Sequence, residues 1–70
     1  MNDLHDRFHY HAPSKEGVVR HATLSELFTS LAEAVVATVP AGREQSLALT
    51  KLEEAKFWAS AGVARNPETR

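Results

Sequence analysis

No cysteine occurs among the 70 residues, so no disulfide can staple this chain. Glycine and proline number three each, and the glycines are scattered rather than gathered into a phosphate-cradling loop. A dominant charge is missing too: eight basic residues stand against nine acidic ones. The resulting net charge of −1, with histidines neutral, argues against sequence-independent duplex binding, which needs many Lys and Arg contacts to phosphates. No stretch approaches the roughly 18 consecutive apolar residues of a membrane span. The polar opening MNDLHDRFHYH is unlike a secretory signal, and an intracellular protein is expected.

What is present is enough for one small domain, residues 1–70. At this length the burial of apolar area roughly offsets an ordering entropy of about 1.5 kcal/mol per residue, and natural chains add disulfides, a metal or partner subunits. A metal would have to come from His5, His9, His11 and His21 with Asp3 and Asp6. His9 and His11 would project to one side of an extended chain, yet the set lacks the tight ligand pairs of a zinc site. No metal or cofactor is therefore expected, and self-association is the favoured route to stability.

Composition divides the chain into an arm (1–19), helix one (about 20–39), helix two (about 43–65) and a polar tail (66–70). Thr23 with Glu26 three residues later matches a capping box, placing the start of helix one there or slightly earlier. Leu24, Leu27, Phe28, Leu31, Val35 and Val39 recur at three- and four-residue spacing, the mark of one helical face. Pro40 ends that run, because it lacks an amide donor and constrains the residue before it. In the second run Ala48, Leu52, Ala55, Ala59 and Val63 form one stripe. Leu47, Thr50, Glu54, Trp58, Ala61 and Arg65 form another beside it.

The short connection predicts an all-α, antiparallel two-helix hairpin with an extended N-terminal arm. Such a hairpin has nowhere to hide the second stripe. Gly62 costs about 1 kcal/mol inside a helix, and with Trp58, Ala59 and Ala61 it points to close approach of a partner helix. A homo-oligomeric helical bundle supplies that partner.

Catalysis has little support. Ser25, Ser30, Ser46 and Ser60 sit in no nucleophile elbow, and Glu53 and Glu54 beside Lys51 and Lys56 read as a solvated helical face. The expectation is a protein that is not an enzyme. Aromatics next to cations and amides suggest binding instead: Phe8 and Tyr10 precede Arg20 and His21, and Trp58 precedes Arg65 and Asn66. Bases stack on aromatic faces, and arginine grips phosphate with paired hydrogen bonds. One protomer offers too few such groups for a pocket, but symmetry would repeat them around a shared site.

FHYHAP in the arm, followed by a helix and then VPAGREQSLALTKLEEAKFWASAGVARN, resembles the small phage proteins that carry the helical-hairpin domain shared by anti-CBASS and anti-Thoeris sponges. The resemblance runs from about Phe8 to Asn66. It implies a hexamer that sequesters cyclic di- or trinucleotide messengers without cleaving them. CBASS effectors would stay inactive, in the cytoplasm of the infected bacterial host. Tyr10, with His11 beside it, matches the arm aromatic that stacks on a base of a dinucleotide. The family's basic position falls at Ser25, which is not basic, so Arg20, His21 or Lys15 would supply the cation. For a separate symmetric trinucleotide site the resemblance points to Thr50, Arg65 and Asn66. A structural or regulatory homo-oligomeric module that meets a protein partner is the competing reading. A small DNA-binding regulator is disfavoured by the charge and by the lack of a third helix to enter a groove.

Overall fold

The computed structural model describes residues 14–69, and the arm residues Tyr10 and His11 lie outside them. Two helices account for most of the described chain, α1 (Lys15–Thr38) and α2 (Arg43–Arg65), and no strand occurs among the described residues.

Helix α1 begins earlier than the sequence pattern suggests. Ser14, in extended backbone at φ −72° and ψ 174°, is the N-cap, and its hydroxyl oxygen accepts a hydrogen bond from the Gly17 amide at 3.1 Å. Glu16 adds a negative charge in the first turn, where the helix dipole favours it. Thr23 is consequently two turns inside the helix and caps nothing. Its Oγ1 donates back to the Val19 carbonyl at 2.9 Å, the usual alternative for a threonine within a helix. The expected start near residue 20 is thus corrected to Lys15, and the expected end at 39 to Thr38.

The turn between the helices is built from local chemistry. Val39 leaves the helix at φ −99° and ψ 129° while its amide still reaches the Val35 carbonyl at 2.9 Å. Pro40 requires such an extended residue before it. Gly42 starts α2 at φ 157°, a backbone region that L side chains rarely adopt. Across the turn, Gln45 Nε2 donates to the Val39 carbonyl at 2.9 Å and reaches the Val36 carbonyl at 3.5 Å. One side chain thereby satisfies carbonyls at the end of α1 that have no intrahelical partner. At the far end Asn66 stops α2, and Pro67 cannot continue it. The Asn66 carboxamide oxygen accepts from the Glu68 amide at 2.9 Å, and Thr69 Oγ1 donates to the Val63 carbonyl at 2.9 Å. Residues 67–69 of the tail therefore fold back as a turn.

The four-residue connection returns α2 antiparallel along α1. The seam runs through the half-buried His21, Leu24, Phe28, Ala32, Val35 and Val39 from the α1 side and Gln45, Ala48, Leu49, Leu52, Lys56, Ala59 and Val63 from the α2 side, while Ser60 and Ala61 are half-buried beside it. Three residues placed on the expected inner stripes belong elsewhere. Leu27 and Leu31 are 63% and 49% exposed, at the edge of the α1 stripe, and Ala55 is exposed as well. No hydrophobic side chain among the described residues is fully buried. The body is only 14 Å across its thinnest dimension, a single layer of helix with two open sides, whereas stable domains pack two layers around a core.

Candidate functional site

The antiparallel return decides which candidate groups come together. Arg65 and Asn66, at the end of α2, lie at the same end of the hairpin as the start of α1, where Arg20 and His21 sit two turns in. Thr50 lies 15 residues before Arg65, about 22 Å away along the helix axis. One chain therefore does not join Thr50 to Arg65 and Asn66.

Each group has a distinct local setting. Arg20 is tied to Glu16 one turn earlier, with Nη2 at 2.7 Å and Nε at 3.1 Å from Glu16 Oε2. Both side chains are about half exposed, so solvent screens the pair and it adds little stability. Ser25 is exposed on α1, five residues beyond Arg20 and hence about 140° further round the helix. His21, by contrast, is one turn before Ser25 on the same face and half-buried. Of the cations weighed from the sequence, His21 is the one placed beside Ser25. Arg65 is exposed and forms no ion pair with any described residue. Asn66 commits its oxygen to the turn, which leaves its amide nitrogen as a hydrogen-bond donor.

Between the helices an open groove of about 320 Å³ is walled by Phe28, Thr29 and Ala32 of α1 and by Leu49, Thr50 and Glu53 of α2, with Lys56 at its edge. A second depression of about 520 Å³ continues it toward Val36 and Ala37. The sequence pattern missed this groove, because it forms between two faces that each look ordinary alone. Among the described candidate binding residues, Thr50 is the one that lines it.

Of the second stripe of α2, Thr50 lines the groove and Ala61 is half-buried, while Leu47, Glu54, Trp58 and Arg65 are exposed. Trp58 is 60% exposed, and its described ring contact is an edge-on approach to Phe57, with centroids 5.4 Å apart and planes at 79°. Gly62 is exposed, and a methyl group built on it would meet nothing within 4 Å. Nothing inside the hairpin therefore requires glycine there. Ala59 belongs to the seam facing α1, whereas Ala61 shares the outer stripe with Trp58 and Arg65. Among the described residues no three His, Asp or Glu side chains cluster as metal ligands would. Among the same residues no helix is long and apolar enough to cross a membrane.

These features define, over the described residues, a small all-helical hairpin with large apolar side chains open to other molecules and with Arg20, His21 and Arg65 toward one end. Residues 1–64 match the family model described as Acb2/Tad1, hairpin domain, and the chain belongs to that family, the anti-CBASS and anti-Thoeris sponges. It is a family of binding proteins rather than of catalysts. No match was found among curated proteins or solved structures.

Proposed function

We propose that this chain is a phage-encoded sponge that assembles, as a hexamer, and sequesters cyclic di- or trinucleotide messengers in the cytoplasm of the infected bacterial host without cleaving them. CBASS effectors are thereby deprived of their activator. The family match over residues 1–64 is the observation that carries this reading. The absence of any buried hydrophobic side chain among the described residues supports assembly, because a single layer of two helices gains little from burial until another layer covers it.

In this reading Tyr10 stacks on a base of a dinucleotide, with His11 beside it. The phosphate is met from His21 beside Ser25, or from Arg20 once it leaves Glu16. Thr50, Arg65 and Asn66 serve a trinucleotide from different protomers, since the distance between Thr50 and Arg65 rules out their meeting on one ligand from a single chain.

Isothermal titration of the full chain and of Tyr10→Ala against a panel of cyclic di- and trinucleotides tests the proposal. The parent is expected to bind at least one with a dissociation constant below about 10 μM, equivalent to about −7 kcal/mol. The variant is expected to lose dinucleotides and to keep trinucleotides. A parent that binds none refutes the sponge reading. Light scattering that finds a monomer would favour the competing module, whose apolar faces wait for a different protein.

A further inference from the structure

The outer stripe of α2 carries several features that the hairpin itself leaves unused. Trp58 is largely exposed, Gly62 has open space above it, and Arg65 has no charged partner among the described residues. Glu54, on the same stripe, has only a loose contact with Lys51 at 3.6 Å, with both side chains more than half exposed. Exposed pairs of this kind hold their members weakly, so the Glu54 carboxylate is available to a better partner.

The spacing of these residues is self-complementary. When a helix pairs antiparallel with a copy of itself about a two-fold axis, residues equidistant from the axis face each other. Glu54 and Arg65 are eleven residues apart, about three helical turns, and so lie on one face with their midpoint between positions 59 and 60. Trp58 and Ala61 have the same midpoint. A single register therefore sets a carboxylate against a guanidinium and an indole against a small residue with Gly62 next to it, each twice over.

We propose that α2 pairs antiparallel with α2 of a second copy of this chain, Glu54 of each bonding Arg65 of the other and Trp58 of each seated over Ala61 and Gly62 of the other. The contact rests on the self-associating reading above and specifies one of its interfaces. Glycine at 62 lets the two backbones approach beside the indole. A carboxylate takes one edge of the planar guanidinium, and the remaining N–H donors can still meet an anion at the junction. Glu54 then acts as a positioning residue for Arg65.

Charge exchange tests the pairing. Glu54→Arg and Arg65→Glu each place two like-charged pairs in the interface of the full chain, whereas the double variant restores opposite charges in swapped positions. Sedimentation equilibrium is expected to show association weakened at least about tenfold by either single change. The double variant should return to within about threefold of the parent. Circular dichroism on the same samples checks that each variant remains helical. A monomeric parent, singles that associate normally, or a double variant that stays dissociated overturns the pairing. Titration with the nucleotide panel separates the two readings. Restored association without nucleotide binding by the parent upholds the contact and removes the sponge. Unchanged association in Arg65→Glu with loss of trinucleotide binding removes the contact and leaves the sponge.

Discussion

Replacement of Trp58 by alanine separates folding from assembly. A tryptophan buries about 150–250 Å² when fully covered. With 60% of Trp58 exposed in the hairpin, about 90–150 Å² remains for a partner to cover, worth about 2–4 kcal/mol at roughly 25 cal/mol per Å². Inside the hairpin its described ring contact is the edge-on approach to Phe57, an arrangement worth about 1 kcal/mol. Trp58→Ala should therefore weaken association by at least about 30-fold while lowering the stability of the dissociated hairpin by about 1 kcal/mol or less. Sedimentation equilibrium reads the first quantity. Thermal unfolding at two widely separated protein concentrations reads the second, because the midpoint of an associating chain rises with concentration. At both concentrations the variant's midpoint should lie below the parent's, by more than the loss of about 1 kcal/mol from the hairpin accounts for. Leu52→Ala, half-buried in the seam, serves as the contrasting change and should lower the midpoint at both concentrations. A Trp58→Ala protein that associates like the parent but unfolds much earlier would show that the indole belongs to the hairpin's own packing and would refute the reasoning.

Three further outcomes follow from the local hydrogen bonds. Ser14→Ala should cost about 1 kcal/mol and speed hydrogen exchange at the Gly17 amide, whereas Thr23→Ala should be neutral or slightly stabilising, since it removes a hydroxyl that bonds back within the helix and adds the best helix former. A loss of about 1 kcal/mol at Thr23 in denaturant titration would restore the capping role to it. Gln45→Ala should lower stability by about 0.5–1.5 kcal/mol, read from the urea midpoint, because the carbonyls of Val36 and Val39 lose the donor that spans the turn. An unchanged midpoint would mean that water replaces the amide without penalty.

The helical class and the break at Pro40 were legible because both rest on local rules: apolar spacing along one face and a residue without an amide donor. The start of α1 was less so. Gly17, Val18 and Val19 are poor helix formers, and Thr23 with Glu26 offers a plausible cap, so propensity favoured a later beginning. Ser14 overrides that preference by capping a long helix whose later turns hold the early ones in place. Leu27 and Leu31 show a second limit. Three- and four-residue spacing defines a broad stripe, but only the docking of α2 decides which part of it is covered, and these two leucines fall at the open edge.

The candidate site divides in the same way. Residue types alone singled out Tyr10, Arg20, His21, Arg65 and Asn66 as groups able to stack on a base or meet a phosphate, and the family resemblance added Thr50. Proximity could not be read from them. Residues on one helix are ordered by the 3.6-residue repeat, so the sequence by itself determined that Trp58, Ala61 and Arg65 share a stripe and that a second apolar face exists. Tertiary structure decided the rest, since it depends on how two helices are set side by side. It brought Arg65 to the end of the hairpin where Arg20 and His21 lie, opened between the helices the groove that Thr50 lines, and left Trp58 and Gly62 exposed.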